Sequence, residues 1–384
     1  MLFISPSMNI PRIYAHMENL LQPNKALILF GPRQVGKTTL LEKFLSGTPL
    51  KYRLENGEDA LLQELAASHD FSRIRKFCEG YEVIAIDEAQ RAPGIGEMLK
   101  IIVDHIPGIR VIATGSSSFE LSGQVGEPLT GRKNEVLLFP VSQMELRNAM
   151  GNDFDLENTL EERLIFGSYP EVVVAETESE KRARIQEITQ SYLLKDILNL
   201  ERVKGSKVLL DVLRLLAFQV GDEVSLPEVA SGAHIDVKTL DRYLDLFEKS
   251  FILFNLRGFS RNLRSEITRK SKYFFYDTGV RNAIINNFNP LSLRSDIGAL
   301  WENFIFMERL KKRAYSNISA NTYFWRTYEQ KEIDLVEERD GKLFGYEMKW
   351  SEARAVKTPR LWTETYPEAS FDVINRRNYL DFVG

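Results

Sequence analysis

The sequence is poor in cysteine and in long apolar runs, and both scarcities narrow the class of protein. Cys78 is the single cysteine, which excludes an intrachain disulfide and a zinc site built on cysteine thiolates. No apolar run approaches the roughly 18 residues that a membrane-spanning helix needs. The first residues also lack the basic segment and apolar stretch of a signal peptide. We therefore expect a cytoplasmic protein without a membrane segment.

The charge balance shows no large excess of either sign. Fifty Lys and Arg residues stand against 54 Asp and Glu residues, for a net charge of -4. Any contact with nucleic acid must therefore come from a local basic patch. A chain of 384 residues with 43% hydrophobic residues can bury a core of good size. Its length predicts two or three domains.

The first half of the chain alternates short apolar runs with stretches long enough for helices. Continuous apolar runs of this length are typical of strands that are buried on both faces. They are Ala26–Phe30, Val83–Ile86, Val111–Ala113 and Val136–Leu138. The alternation predicts an α/β fold in which a parallel sheet is covered by helices.

A phosphate-binding motif follows the first apolar run. Residues 31–38 read GPRQVGKT and fit GxxxxGK[ST], between a predicted strand and a predicted helix. In such a loop, backbone N–H groups and a helix N-terminus surround phosphate oxygens. Lys37 should reach the β- and γ-phosphates of ATP, and Thr38 should bind Mg²⁺. The predicted nucleotide-binding residues here are Gly31, Pro32, Arg33, Gln34, Val35, Gly36, Lys37, Thr38 and Thr39.

Two adjacent carboxylates end the second apolar run. Asp87 and Glu88 follow Val83–Ile86, and ligands of open α/β sheets bind at the carboxyl ends of strands. We expect Asp87 to hold Mg²⁺ together with Thr38. Glu88 is the candidate catalytic base that polarises the attacking water.

Two further sites are predicted with competing explanations. Ser116 or Thr114 could sense the γ-phosphate, or the serine-rich stretch could simply cap a helix. Arg132 could stabilise transition-state charge, in the same chain or from a neighbouring subunit, or form a surface ion pair.

These motifs resemble a large prokaryotic family of AAA-type ATPases. The matching stretches are Ile10–Arg12, GPRQVGKTTLL, VIAIDEAQ, VIATGSSS, LTGRK followed by LFPVSQMEL, and FGSYPEVV. The resemblance implies a winged-helix module and a C-terminal domain similar to the PD-(D/E)xK nucleases. It also implies that Ile10–Arg12 lies near the adenine.

The expected fold class is α/β, with a P-loop NTPase sheet of the AAA type, a helical lid, a winged helix and an α+β restriction-endonuclease-like domain. The expected domains are the ATPase core 1–141, the lid 142–205, the winged helix 206–285 and the nuclease-like domain 286–384.

A basic segment lies within the predicted winged helix. Segment 257–272 contains six basic residues and one acid, Glu266. The basic residues are Arg257, Arg261, Arg264, Arg269, Lys270 and Lys272. This segment could bind DNA phosphates, or it could be a solvated wing or a face docked on another domain.

The C-terminal part contains a predicted hairpin with charged residues on one face. Asp340-Gly341 between two strand-like runs is a strong signal for a two-residue turn. That turn would place Asp334 opposite Glu347 and Glu332 opposite Lys349, on one face. Like charges opposite each other destabilise a sheet, so a divalent cation or Lys349 should offset them.

The resemblance to the nucleases gives these residues a role. It implies a site formed by Asp334, Glu347 and Lys349, with Glu302 on the preceding helix as a further ligand of a second Mg²⁺ or Mn²⁺. The alternatives are a solvated polar face and an inherited fold without catalysis.

Three hypotheses for the whole protein follow. The first is an ATPase whose hydrolysis rearranges the winged-helix and nuclease-like modules on DNA, with the chain acting alone or as a homo-oligomer. The second is a nucleotide-controlled signalling or scaffold protein with an inactive nuclease-like domain. The third is a small-molecule kinase, which the adjacent Asp87 and Glu88 disfavour.

Overall fold

The computed structural model describes residues 10–116, 128–193, 206–259, 271–327, 329, 331–352 and 356–384. The chain divides into two compact units. The first unit comprises Pro11–Pro140 with Lys249–Phe251, and the second comprises Val141–Glu248 with Ile252–Gly384. Each unit has its own β-sheet.

The first unit contains a five-stranded parallel sheet in the order β2-β3-β4-β1-β5. Its strands are β1 (Ala26–Phe30), β2 (Tyr52–Asn56), β3 (Val83–Asp87), β4 (Arg110–Gly115) and β5 (Lys133–Leu137). Its helices are α1 (Lys37–Gly47), α2 (Ala60–Ser68), α3 (Phe71–Cys78) and α4 (Ile95–His105). The predicted parallel sheet with crossover helices is confirmed.

The core of the first unit lies between the central strands and the helices that cover them. Every residue of β3 is buried, and Ile84 and Ile86 pack in one cluster with Leu99 of α4. Each such aliphatic side chain stabilises the fold by roughly 1.5–3 kcal/mol when fully buried. The parallel strands all end at one edge of the sheet, which brings the loops after β1, β3 and β4 together.

The second unit begins with a series of short helices. They are α5 (Gln143–Met150), α6 (Asp153–Asn158), α7 (Leu160–Phe166), α8 (Pro170–Val173), α9 (Glu178–Glu187) and a π-helix at Ile188–Leu193. Capping boxes start two of them, since Ser142 pairs with Glu145 and Thr177 pairs with Glu180. Each box satisfies backbone N–H groups that a helix start leaves without partners.

The next elements follow the order helix, strand, helix, helix, strand, strand. They are α10 (Ser206–Phe218), β6 (Glu223–Val224), α11 (Leu226–Gly232), α12 (Val237–Lys249), β7 (Leu253–Gly258) and β8 (Ser271–Phe275), followed by α13 (Thr278–Ile284). Strand β8 pairs antiparallel with both β6 and β7.

The last elements belong to the same sheet as these three strands. They are α14 (Ile297–Tyr315), β9 (Asn321–Arg326), β10 (Glu332–Arg339), β11 (Lys342–Met348), α15 (Arg360–Thr365), β12 (Ser370–Ile374) and α16 (Tyr379–Val383). The sheet has the order β12-β11-β10-β9-β7-β8-β6. Strand β7 joins β9 through the parallel pairs of Arg257 with Tyr323 and Gly258 with Phe324. The predicted domain boundary at 285/286 stays a prediction, and the sheet is continuous across it.

The predicted hairpin of β10 and β11 has the expected turn and register. Asp340 and Gly341 both have positive φ angles, 50° and 75°, as a tight type I′ hairpin turn requires. The strands pair from Arg339 with Lys342 to Leu335 with Tyr346, in the predicted register. Against β9, the register of β10 shifts by one residue between Ile333 and Val336. That irregularity places Asp334 in a bulge, a feature that re-aims side chains.

A buried ion pair fixes α14 against this hairpin. Arg309 donates from Nε and Nη2 to the two carboxylate oxygens of Glu337, at 2.8 and 2.9 Å. Its Nη1 donates to the Phe382 carbonyl at 3.0 Å. A bidentate pair of this kind holds its partners in one geometry.

Candidate functional site

Close backbone approach shapes the phosphate loop of the first unit. Gly31 has φ of 148°, and a Cβ there would lie 2.1 Å from the Leu138 carbonyl oxygen. Only glycine fits this position. Gly36, with φ of 93°, precedes α1, and Gln34 also has a positive φ of 60°. Pro32 and Val35 are buried, Arg33 is half-buried, and Thr39 is exposed on the first turn of α1.

Lys37 lies inside the curve of the loop. Its side chain is only 4% exposed, and Nζ donates to the carbonyl oxygens of Gly31 and Pro32 at 2.9 and 2.8 Å. The ammonium group is therefore at the centre of the loop, where a phosphate ligand would meet it.

The loop contacts the end of β3 directly. Thr38 Oγ1 donates to Asp87 Oδ2 at 2.8 Å, and Thr114 Oγ1 donates to the other oxygen of Asp87. Asp87 is buried. The two predicted magnesium ligands, Thr38 and Asp87, are thus brought together, with Thr114 orienting the carboxylate.

Glu88 follows Asp87 at a sharp turn of the backbone. Its φ of 48° lies in the left-handed region, which is uncommon for a residue with a side chain and occurs at functional sites. Its backbone N–H donates to Thr114 Oγ1 at 3.1 Å, and a Cβ on Gly57 would lie 2.2 Å from its carbonyl oxygen. The close approach of Gly57 thus supports the turn.

Gln90 connects Glu88 with the predicted sensor Ser116. Its Nε2 donates to Glu88 Oε2 at 2.6 Å and to Ser116 Oγ at 3.2 Å. Gln90 is 9% exposed, and its Oε1 has no hydrogen-bond partner among the described residues. Sequence reasoning did not select Gln90, although it stands two residues after the candidate base.

Arg12 contacts the phosphate loop, which sequence reasoning did not predict. Its guanidinium donates to the Val35 carbonyl within the loop and, at 2.6 Å, to the Phe139 carbonyl. Its Nη1 would lie 3.6 Å from a Cβ on Gly36. The location of Ile10–Arg12 near the adenine, which the resemblance implies, stays a prediction, and the Arg12 side chain contacts the phosphate loop.

Arg132 lies away from the phosphate loop. Strands β5 and β1 are parallel, with Lys133 beside Ala26 at their starts. The backbone carbonyl oxygen of Arg132 accepts a hydrogen bond from the Ala26 N–H. The phosphate loop follows the opposite end of β1. Strand β1 is five residues long, which is about 16 Å at roughly 3.3 Å per residue. Arg132 is paired with Asp104. Arg132 therefore does not stabilise transition-state charge at the phosphate loop of its own chain. Its action on the site of a neighbouring copy stays a prediction.

The second unit brings its predicted acids into one group, here called the carboxylate cluster. Its members are Glu302 of α14, Glu332 and Asp334 of β10, and Glu347 of β11. Lys349 Nζ lies 2.5 Å from Glu347 Oε1 and 3.8 Å from Asp334 Oδ2. Asp334 Oδ2 also accepts the Met348 N–H at 2.6 Å. The four predicted residues Glu302, Asp334, Glu347 and Lys349 are thus neighbours.

Burial changes the acidity of this cluster. Burial raises the pKa of Glu302 to about 8, and the Asp334 charge adds to the rise. Burial also raises the pKa of Asp334, despite the nearby Lys349 and Lys272. For Glu347, burial and then the Asp334 charge raise the pKa. Carboxyl groups in this state resist carrying full negative charge together.

Lys272 enters the carboxylate cluster from β8. It is 1% exposed, and its Nζ lies 3.0 Å from Glu302 Oε1 and in contact with Glu332 Oε1. The prediction that Lys272 belongs to a DNA-binding patch is therefore wrong, because its charge is buried among acids. Of the other basic residues in segment 257–272, Arg257 is exposed on β7, whereas Arg261, Arg264, Arg269 and Lys270 lie outside the described residues.

Among the described residues, no group of three or more His, Cys, Asp or Glu side chains is arranged to hold a metal ion. Across all the residues that the structure describes, no helix is both long and apolar enough to cross a membrane.

Comparisons with known proteins cover most of the chain. A family model described as an AAA domain matches residues 23–147. Domains of unknown function match residues 157–291 (DUF8612) and 297–378 (DUF4143). The AAA match includes the phosphate loop and the end of β3, so the predicted AAA-type P-loop ATPase domain is confirmed.

Similar whole proteins are also known. An uncharacterized protein of Mycobacterium tuberculosis is 28% identical over 342 residues, covering 87% of this chain and 72% of that protein. An uncharacterized protein of Haemophilus influenzae is 25% identical over 323 residues, covering 75% of each. A Walker-type ATPase of Pyrococcus abyssi superposes with a TM-score of 0.48 and 18% identity, over 71% of this chain and 94% of that one. Superpositions of this quality do not assign a fold, so the domain assignment depends on the family model.

Proposed function

We propose that the chain is a magnesium-dependent ATPase whose nucleotide state controls the second unit. The hydrogen bond of 2.8 Å from Thr38 to Asp87 carries this proposal, because it joins the phosphate loop to the acidic end of β3. Lys37 then binds the terminal phosphates, and Glu88 orients and polarises the attacking water. Ser116 is the candidate sensor of the γ-phosphate.

The residues at this site fit magnesium. Thr38 supplies a hydroxyl oxygen and Asp87 a carboxylate oxygen, which are the hard donors that Mg²⁺ prefers. These two residues would hold the ion next to the phosphates, where it would neutralise their charge. The Thr114 hydroxyl keeps the Asp87 carboxylate oriented for this purpose.

The element order of the second unit supports two further assignments. The order of α10, β6, α11, α12, β7 and β8 suits a winged helix, with β8 between β6 and β7. The helix α14 followed by β9, β10 and β11 suits a nuclease-like fold. DNA contact through segment 257–272 belongs to the same proposal and depends on its exposed Arg257 and on residues outside the described part.

A specific observation favours the second function, a nucleotide-controlled signalling or scaffold protein without nuclease action. Lys272 contacts two acids of the carboxylate cluster. A second Mg²⁺ or Mn²⁺ at Glu302, Asp334 and Glu347 is therefore not part of the proposed function. The ATPase is common to both candidates.

Steady-state phosphate release tests the ATPase. We expect Lys37→Ala to weaken ATP binding roughly 10- to 150-fold, the value of one or more charged hydrogen bonds. Glu88→Gln should keep binding and lower kcat by roughly 100-fold or more, because it removes the base. Lys43→Ala, which changes an exposed lysine of α1, is the matched control and should resemble the unmodified chain.

Two results would contradict the proposal. If calorimetry showed that magnesium nucleotide does not bind the intact chain, the assignment as an ATPase would be wrong. Normal turnover by Glu88→Gln would remove Glu88 as the base. Phosphate release without any acceptor molecule would exclude an obligate small-molecule kinase.

A further inference from the structure

The carboxylate cluster contains a buried ammonium group from another part of the sheet. Lys272 lies on β8, which pairs with β6 and β7, whereas the four acids lie on α14, β10 and β11. Its Nζ lies 3.0 Å from Glu302 Oε1 and contacts Glu332 Oε1. The side chain also passes over the Phe324 ring, with Nζ 5.5 Å from the ring centroid. These contacts hold the ammonium between α14 and β10.

Each acid of the carboxylate cluster has a lysine as a neighbour. Glu302 and Glu332 have Lys272 as a neighbour, and Asp334 and Glu347 have Lys349. Arg326 Nη1 lies 3.7 Å from Glu332 Oε2 and 3.4 Å from Glu223 Oε2. The acids that a divalent cation would have to bring together thus already contact cations of the chain itself, which offset part of their charge.

Lys272 is suited to remain charged in this position. Burial lowers its pKa, but Glu302, Glu332 and Asp334 outweigh that effect and raise the pKa above its ordinary value. An ammonium group has three donors and no acceptor, so it can satisfy several carboxylate oxygens together. A buried cation of this kind is costly to move without its partners.

We propose that the ammonium of Lys272 is the resident cation of the carboxylate cluster and excludes a divalent metal from it. The C-terminal module would then act as a non-cleaving element, whose acids hold β8 against α14 and β10. This inference uses the nuclease-like assignment made above for the second unit. It does not depend on ATP hydrolysis by the first unit.

Lys272 also explains why the acids tolerate one another. The sequence predicts that Asp334 and Glu347 need a divalent cation or Lys349 to offset their repulsion, and Lys349 lies beside both. Glu302 and Glu332 need a second cation, which is Lys272, 30 residues upstream of Glu302 and 60 residues upstream of Glu332. Glu347 Oε2 has no hydrogen-bond partner among the described residues, so it could accept a metal if Lys272 is removed.

Manganese binding tests the proposal directly. The full-length chain without nucleotide is titrated with Mn²⁺, and free Mn²⁺ is followed by electron paramagnetic resonance. Lys272→Met removes the charge but keeps the length of the side chain, and it should gain one Mn²⁺ site at least tenfold tighter than any site of the unmodified chain. Lys272→Arg keeps the charge and should show no gain. The double variant Lys272→Met with Glu302→Gln should lose the gained site.

The unmodified chain gives an independent answer if Lys272→Met does not fold. A tight Mn²⁺ site in the unmodified chain that Glu302→Gln abolishes would overturn the proposal, and so would a folded Lys272→Met that gains nothing. Manganese-dependent plasmid cleavage that Lys349→Ala abolishes would overturn it as well. The absence of both the tight Mn²⁺ site and the cleavage in the unmodified chain would support the proposal. None of these results bears on ATP turnover, so failure here leaves the ATPase proposal untouched.

Discussion

Gln90 stands between two groups that would act near the terminal phosphate. Its amide donates to both the Glu88 carboxylate and the Ser116 hydroxyl. A buried amide that links a base with a sensor can hold the base in one orientation. Glu88 itself has a strained left-handed backbone, so its side chain direction depends on such contacts.

The Gln90 link predicts a specific kinetic defect. We expect Gln90→Ala to lower kcat roughly 10- to 150-fold, because one hydrogen bond to a charged group contributes roughly 1.5–3 kcal/mol. The KM for ATP should change little, since the Gln90 amide donates to Glu88 and Ser116 rather than to the phosphate loop. Steady-state kinetics separates the two constants, with Gln22→Ala as an exposed control. A higher kcat would instead show that Gln90 restrains the base.

Residues whose partners lie close to them in the sequence could be predicted, and residues whose partners lie far away could not. The phosphate loop is one continuous motif, so Lys37, Thr38 and the acids after β3 could be selected from local spacing. Arg12 acts on a carbonyl 127 residues away, and Lys272 on an acid 30 residues away. Sequence spacing carries no signal for such contacts, because tertiary folding creates them. The position of Arg132 within its own chain was not predictable for the same reason, since it depends on which end of β5 lies beside the start of β1.

Among the elements, the buried strands were predictable and the edge strand was not. Strand β3 is buried along its whole length and therefore reads as a continuous apolar run. Strand β2 lies at the edge of the sheet, with exposed and half-buried residues in alternation, and it has no such run. The hairpin of β10 and β11 was predictable because its turn chemistry is local. The bulge at Asp334 was not, because it arises against β9.

A cluster of two arginines and one acid joins α13 to the start of α14. Arg294 donates to both oxygens of Asp296 at 2.8 Å, and Arg281 donates at 2.5 Å. Arg281 also donates to the Ala217 carbonyl of α10 at 2.9 Å. Burial raises the pKa of Asp296, but the hydrogen bonds from Arg294 and the charge of Arg281 outweigh it and lower the pKa to about 2.

This shift predicts how stability depends on pH. The folded pKa lies below the ordinary value of 3.8, so the stabilisation is present above about pH 4 and is lost as pH falls toward 2. At pH 7, Asp296→Asn should lower the free energy of unfolding by about 2 kcal/mol. Urea unfolding at pH 7 and pH 3 checks this, and the difference should shrink at pH 3. Asp241→Asn, an exposed control on α12, should show no effect at pH 7, and an equal effect of both variants would refute the prediction.

At the scale of the whole molecule, the proposed function requires ATP to influence residues outside the unit that contains the phosphate loop. The first unit contains the phosphate loop, and the second contains the predicted winged helix and the carboxylate cluster. Because two compact units can unfold separately, a nucleotide could stabilise one and leave the other unchanged. The proposed control of the second unit therefore makes a claim that ATPase assays cannot test.

Hydrogen exchange measured by mass spectrometry tests this control. Glu88→Gln with magnesium ATP should show slower exchange in Gly31–Gly47, because ligand at 100 times its Kd stabilises the bound form by about 2.7 kcal/mol. Control of the second unit further requires a changed exchange rate in at least one segment of Val141–Glu248 or Ile252–Gly384. Lys37→Ala with the same nucleotide is the control and should show neither effect. Changes confined to Pro11–Pro140 would leave an ATPase without the proposed coupling, because a ligand that does not distinguish two states of the second unit cannot shift them.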